Sequence, residues 1–235
     1  MSGVVAMRGW LLAKRPFGDT SLIVDVLTLE QGRIDLMAKG GRKNALLEPF
    51  RPLWISAAGR GNLPWLQKVE PSGTAMTCQG DSLWCAFYVN ELLTRLLPQG
   101  MPSVVLFALY GETLQQLADN QQVQRALRRF EQALLIECGY APDLTMDQVG
   151  NPIHPAGLYQ LWDNQLVASN TGFSGATLLA WQQGEWNQAV AQTARRLLRE
   201  VLDHCLGGKP LKSRDMFYSL KRMAASGSSK ESSNE

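Results

Sequence analysis

Short apolar runs alternate with turn residues in the N-terminal part of the chain. Between Val4 and about Lys68, the runs are separated by four turn-forming segments, Pro16–Asp19, Glu30–Gly32, Gly40–Arg42 and Gly59–Asn62. This pattern predicts five strands, and Thr20–Thr28 followed by Arg33–Ala38 across a glycine-containing turn predicts a hairpin. Because a sheet of five short strands leaves exposed edges unless it closes, we expect an OB-type β-barrel.

Beyond Pro71 the apolar positions follow a helical period. Asp81–Leu97 has them at three- and four-residue spacings, with Asp81 or Ser82 as the expected cap. Further helices are predicted near Pro102–Asp119, Gln122–Cys138 and Glu185–Leu206 and from Ser213, with Gly139 and Gly207 as helix-ending glycines. Alternating residues around Asp163 and Asn164 predict a two-residue hairpin.

These elements predict an α+β fold class: an N-terminal five-stranded OB-type β-barrel followed by an α-helical domain with a small β-hairpin insertion. The 235 residues suffice for two domains. We expect residues 1–78 to form the barrel and residues 79–225 the helical domain, with the hairpin near residues 150–170. The polar, serine-rich residues 226–235 are expected to be a disordered tail.

Several classes of function lack their signals in this sequence. No apolar stretch approaches the roughly 18–20 residues of a membrane span, and no signal peptide is evident, so we expect a cytoplasmic protein without membrane contacts. The nearest approach to a phosphate-binding loop, Gly207–Pro210, has the wrong spacing and a proline. The acidic middle of the chain leaves a paired-carboxylate site open, but a solvated acidic face is the better interpretation, so we expect no enzymatic activity.

Neither a metal nor a cofactor is expected. The four cysteines are scattered without a C-x-x-C pair, and the two histidines are far apart in sequence: Cys78, Cys85, Cys138 and Cys205, with His154 and His204. Such spacing matches neither a zinc site nor a disulfide framework. The cysteines are therefore interpreted as small buried hydrophobic residues.

The net charge of +2 is unevenly distributed. Residues 1–70 carry ten Lys/Arg against six Asp/Glu, residues 71–190 four against ten, and residues 191–235 nine against five. Two basic ends favour anionic partners there. The candidate DNA-binding residues are Lys14, Arg15, Arg33, Lys39, Arg42, Lys43 and Arg51 in the barrel, and Lys209, Lys212 and Arg214 near the C-terminus.

Aromatic residues near the barrel cations are candidates for base stacking: Trp10, Phe17, Phe50, Trp54 and Trp65. The alternative, that they fill the barrel core, is at least as strong. Likewise, the cations of Gly207–Arg214 lie where glycine and proline could simply redirect the chain.

The segment Gln124–Gly139 has an amphipathic pattern. Arg125, Arg128 and Arg129 flank an apolar face that includes Leu127 and Phe130. Such a face could bind a short acidic peptide that ends in an apolar side chain and a carboxylate. From these residues alone, an ordinary core helix with solvated arginines is the stronger interpretation.

Taken together, several segments resemble the RecO family, the mediators of the RecF-RecO-RecR pathway of bacterial DNA repair. The resemblance extends over nearly the whole chain, and the order and spacing of its segments are more specific than any one of them. The segments are Lys14–Ile23, Ala38–Lys43, Leu47–Phe50, Tyr88–Leu92, Ala126–Glu131 with Gly139 and Tyr140, and Gly207–Arg214.

The resemblance implies an OB barrel followed by a helical domain. It also implies that the protein binds single- and double-stranded DNA, anneals complementary strands, recognises the acidic C-terminal tail of single-stranded-DNA-binding protein, and with RecR promotes RecA loading, in functional association with RecF. When bound to DNA, such a protein is expected to be associated with the nucleoid. Some family members hold zinc through four cysteines in the helical domain. Here only Cys138 lies near that region, so the resemblance also implies a metal-free chain.

Two alternatives stay open at this point. One is a metal-dependent enzyme acting on DNA, which cleavage of single-stranded DNA in the presence of magnesium would reveal. The other is an OB-domain scaffold that binds only protein partners, which a salt-dependent DNA titration would distinguish.

Overall fold

The computed structural model describes residues 5–59, 61, 63–219 and 222. The chain divides into two compact units. One comprises the residues up to Gln121 together with those from Pro210 onward, and the other comprises Gln122–Lys209. None of the helices in the described ranges is long and apolar enough to cross a membrane.

The first unit begins with a closed five-stranded barrel. Its strands are β1 (Val5–Phe17), β2 (Ser21–Thr28), β3 (Gly32–Ala38), β4 (Pro52–Ala58) and β5 (Trp65–Pro71). They lie in the order β1-β2-β3-β5-β4. Antiparallel pairing of β1 with β4 and parallel pairing of β3 with β5 close the barrel. The predicted OB-type barrel is therefore confirmed.

Alternating inward-facing residues fill the barrel. The buried cluster includes Met7, Leu11, Val24, Leu36 and Ile55. In β1, Leu11 and the adjacent Leu12 are both buried, because the pairing of β1 with β2 shifts by one residue at a bulge between Leu11 and Ala13.

Two helices, α1 (Gly80–Leu96) and α2 (Val104–Ala118), belong to the same unit as the barrel, as does a helix over residues 212–219. The side chain of Asn90 in α1 donates to the carbonyl of Leu12 at 2.9 Å and accepts from the hydroxyl of Tyr110 in α2 at 2.7 Å. A buried polar network thus fixes both helices to β1.

The expected cap of α1 is wrong. The helix begins at Gly80, so Asp81 and Ser82 lie inside its first turn, and Gln79 occupies the capping position without a side-chain hydrogen bond. The hydroxyl of Ser82 instead donates to the side chain of Asn120 at 3.4 Å.

The second unit contains three helices and a small sheet. Its elements are α3 (Val123–Glu137), β6 (Leu158–Trp162), β7 (Gln165–Ser169), β8 (Phe173–Ser174), α4 (Gly175–Gln182) and α5 (Gln188–Cys205). The predicted hairpin is confirmed: Trp162 pairs with Gln165, and Asp163 and Asn164 have φ of 49° and 58°. Neither β8 nor α4 was predicted from the sequence.

The sequence predicts a domain boundary after residue 78, beyond the last strand of the barrel. The first compact unit extends further and includes α1 and α2. The predicted disordered tail, residues 226–235, lies outside the described residues.

Candidate nucleic-acid interface

Most acidic side chains of the barrel are engaged by cations. Residues 1–70 contain six Asp/Glu and ten Lys/Arg. Five carboxylates form ion pairs with N···O distances between 2.6 and 4.0 Å: Arg8–Glu30, Lys14–Glu48, Arg15–Asp35, Arg33–Asp25 and Lys68–Glu70. The surplus positive charge must therefore lie on other cations.

Three of those cations lie on one turn after β3, residues Lys39–Lys43, which we call the basic turn. Lys39, Arg42 and Lys43 are exposed, and within the described residues no ion pair joins any of them. Gly40 adopts a left-handed conformation with φ of 63°, and the turn continues as a single 3-10 turn. The guanidinium of Arg42 donates to the carbonyl of Gly18 at 2.7 Å and so holds the basic turn against the β1–β2 loop.

Exposed aromatic rings lie beside the basic turn. The ammonium of Lys39 lies 4.2 Å from the centre of the Trp65 ring, a cation–π contact. Trp65 is 41% exposed, and Phe17, at the end of β1, is 52% exposed. By contrast, Trp10 and Phe50 are buried, so for these two the core interpretation holds.

Arg33 has a structural environment. Its guanidinium pairs with Asp25 at 2.9 Å and donates to the carbonyl of Leu97 at 2.7 Å, and both charged side chains are largely buried. Burial raises the pKa of Asp25, and the hydrogen bond and charge of Arg33 oppose that rise. We therefore leave Arg33 out of the candidate DNA surface.

The other barrel candidates are less accessible than the basic turn or are paired. The ammonium of Lys14 donates to the carboxylate of Glu48 at 2.6 Å and to the carbonyl of Leu47 at 3.0 Å. Arg15 is exposed but paired with Asp35. The side chain of Arg51 is only partly exposed, and its buried Nε lacks a hydrogen-bond partner within the described part of the chain.

The C-terminal candidates belong to different units. Lys212 and Arg214 lie in the first unit and Lys209 in the second. The carboxylate of Glu91 accepts from the backbone nitrogens of Lys212 and Ser213, which caps the helix over residues 212–219. The guanidinium of Arg214 lies over the ring of Tyr88, 5.2 Å from its centre.

The candidate peptide site on α3 is only partly accessible. Leu127 and Phe130 are buried. Arg128 is largely buried and pairs with the buried Glu131 at 2.6 Å. Arg125 and Arg129 are exposed, and the guanidinium of Arg125 lies 6.0 Å from the centre of the Trp186 ring.

The position of Glu131 on the same helix was a usable sequence signal that one of the three arginines could pair with it, and the structure shows that this arginine is Arg128. The cap supplied by Glu91 had no such signal, because Glu91 lies far along the chain from Ser213.

Across the described ranges, no group of three or more His, Cys, Asp or Glu side chains is placed to hold a metal ion. Burial raises the pKa of the Cys138 thiol to about 11, which disfavours the thiolate that binds metals. The absence of metal nevertheless stays a prediction.

The chain thus combines a closed OB-type barrel, which exposes three cations on one turn, with a second, mainly helical unit. Comparison with known families is more specific. The family descriptions "Recombination protein O N terminal" and "Recombination protein O C terminal" match residues 1–75 and 79–215. The chain belongs to the recombination protein O family, which confirms the resemblance described above.

Relatives named "DNA repair protein RecO" align over nearly their full lengths. The Alteromonas mediterranea protein is 36% identical over 92% of this chain and 98% of its own length. The proteins from Actinobacillus pleuropneumoniae and Methylococcus capsulatus are 37% and 38% identical, over 91% and 93% of this chain and 94% and 95% of their own lengths. Membership in this family indicates a role in DNA repair and recombination, and none of these descriptions specifies an enzymatic activity.

Proposed function

We propose that the protein is a non-enzymatic, DNA-binding recombination mediator that holds DNA on its barrel. The observation that carries the proposal is the basic turn, where three cations of the barrel are exposed and have no carboxylate partner among the described residues. Lysine and arginine contact phosphates irrespective of sequence and release counterions as they do so. A surface of this kind suits a protein that acts on DNA of any sequence.

The finer activities belong to the same proposal. We propose that the protein binds both single- and double-stranded DNA and anneals complementary strands, since cations that contact phosphates attract both forms and bring two strands to one surface. Promotion of RecA loading together with RecR, and the functional association with RecF, are proposed by analogy with the family.

The helical unit is proposed to bind the acidic C-terminal tail of single-stranded-DNA-binding protein. Support comes from Arg125 and Arg129, which are exposed on α3. Arginine pairs with a carboxylate through two parallel hydrogen bonds, and this geometry suits recognition of a terminal carboxylate.

A salt-dependent titration of labelled DNA tests the central proposal. Replacing Lys39 and Lys43 together by alanine is expected to weaken binding to all sequences alike. Because each lost phosphate contact removes roughly one unit of the salt slope, the slope should flatten by about two units. Arg42 is kept in this variant, since its hydrogen bond to Gly18 orders the turn.

The matched control removes two exposed cations that are paired on the same barrel. Replacing Arg8 and Lys68, the partners of Glu30 and Glu70, removes the same net charge away from the basic turn. This variant should keep nearly the parent slope. Unchanged affinity and slope on loss of Lys39 and Lys43 would refute the proposed surface, and cleavage of the DNA in magnesium would refute the non-enzymatic role.

A further inference from the structure

Two exposed aromatic residues lie at the same end of the barrel, on either side of the basic turn. Phe17 is the last residue of β1. Pro16 pairs with Leu22 near the start of β2, and Leu22 pairs with Ala38 at the end of β3, so these three strand ends are adjacent. Met37 of β3 then pairs with Trp65, the first residue of β5. Three inter-strand steps of about 4.8 Å each therefore separate the strand ends that carry the two rings.

The Trp65 ring is held in place while much of it stays in solvent. A Cβ built on Gly59 would lie 3.3 Å from Cδ1 of the ring, so the backbone at Gly59 packs closely against the ring edge. The ammonium of Lys39 lies over the ring. A base must therefore stack on the opposite face or displace the flexible Lys39 side chain, whose ammonium is then available to a phosphate of the same strand.

Phe17, the last residue of β1, is the second exposed ring. It is more than half exposed at the tip of β1, next to the loop whose Gly18 carbonyl accepts from Arg42. An aromatic ring kept in water forgoes the stabilisation that burial would give. Single exposed apolar residues are ordinary, but two that flank three exposed cations at one barrel end form a pattern with a specific use.

We propose that Phe17 and Trp65 are stacking sites for unpaired bases and that they give this end of the barrel a preference for single-stranded DNA. The inference rests on the proposed DNA-binding function and adds to it the form of DNA recognised. In a duplex the bases are stacked on one another and unavailable to the two rings, whereas the cations of the basic turn can contact the phosphates of either form. The cations then provide affinity for both forms of DNA, and the two rings provide the preference for single strands over duplex.

The test compares the affinities of full-length variants for labelled oligo(dT) and for a blunt duplex, across a series of salt concentrations. The double replacement Phe17→Leu with Trp65→Leu should weaken oligo(dT) binding on the order of tenfold or more. Duplex affinity and the salt slope should stay at the parent values, because leucine removes no phosphate contact. The single variant Trp65→Phe keeps an aromatic face and should retain most of the affinity for oligo(dT).

Trp54 provides the matched control. It is 46% exposed on β4 of the same barrel, where its cross-strand partners are Arg8 and Glu70. The variant Trp54→Leu should bind both forms of DNA like the parent. A strand with abasic sites adds a second readout: the parent should bind it more weakly than oligo(dT), and the Phe17→Leu, Trp65→Leu double variant should lose that distinction.

Several results would overturn the inference. It fails if the folded double variant binds oligo(dT) like the parent, or if it loses affinity for single strand and duplex equally. If the double variant does not fold, the oligo(dT) affinity of Trp65→Phe is the test. A loss of affinity as large as that expected for the double variant would count against stacking, because this variant keeps an aromatic face. The two proposals can also be separated. If loss of Lys39 and Lys43 weakens DNA binding as expected while the variants of Phe17 and Trp65 bind DNA like the parent, the proposed function stands and only the stacking sites are refuted.

Discussion

The ion pair between Arg33 and Asp25 should be a major contributor to the stability of the barrel. Arg33→Ala removes a guanidinium whose Nε lies 3.1 and 3.0 Å from the two oxygens of Asp25. It also removes the hydrogen bond to the carbonyl of Leu97, the residue that follows α1. The remaining carboxylate would be buried without its cation.

The size of the effect follows from burial. The side chains of Arg33 and Asp25 are only 15% and 12% exposed, so solvent cannot replace the lost partner. Breaking a buried pair by removing one partner costs about 3–5 kcal/mol. The matched variant Arg15→Ala breaks a pair of the same 2.9 Å length with Asp35, but the Arg15 side chain is 63% exposed. Exposed pairs contribute only about 0–1 kcal/mol.

The assay is denaturant unfolding of parent and variants at several pH values. Burial raises the pKa of Asp25 above its usual 3.8, and loss of Arg33 should raise it further. A raised pKa means that the folded state binds the proton more tightly, so the folded variant gains stability as pH falls through that pKa. The destabilisation by Arg33→Ala should therefore shrink on acidification. Equal destabilisation by Arg15→Ala, or a loss that grows toward low pH, would refute this reasoning.

Three further predictions concern metal, peptide and charge. Elemental analysis of protein purified without a metal-binding tag should find no stoichiometric zinc, and its presence would contradict the cysteine spacing. Arg125→Glu and Arg129→Glu should weaken binding of the acidic tail peptide in fluorescence anisotropy, whereas Arg128→Glu should mainly lower the melting temperature; parent-like binding by the first two would place the site elsewhere. Glu48→Gln removes the negative charge beside Lys14 and should steepen the DNA salt slope by up to about one unit; an unchanged slope would place Lys14 outside the DNA surface.

The sequence predicts local structure well where turn chemistry and periodicity agree. The five strands and the hairpin at Asp163 and Asn164 are found where alternation and turn residues placed them. The helix ends at Gly139 and Gly207 also match, since both glycines adopt positive φ. By contrast, β8 has only two residues and α4 only eight, too few for periodicity to distinguish them from a loop.

Contacts between side chains that are distant in sequence are not predicted in this way, because neither periodicity nor propensity encodes them. The sequence places Arg33 next to a turn and so suggests an exposed cation. In the folded barrel, however, Arg33 contacts Asp25 and the end of α1. Similarly, Leu127 and Phe130 define an apolar face without indicating whether it is covered. Their burial within the folded chain decides that they are core residues.

The distribution of charge shows how much of the candidate site could be inferred before the structure. Counting residues gives the barrel a surplus of cations, but it cannot say which of those cations form ion pairs with carboxylates. Several of the pairings join residues far apart in sequence, 22 positions for Arg8 with Glu30 and 34 for Lys14 with Glu48. Once those pairs are assigned, much of the surplus lies on the basic turn, where a Cβ on Gly40 would meet no atom within 4 Å. The charge available to a phosphate is therefore a property of the folded barrel, and removal of the carboxylate that pairs with a candidate cation, as in Glu48→Gln beside Lys14, changes it without any change in the turn itself.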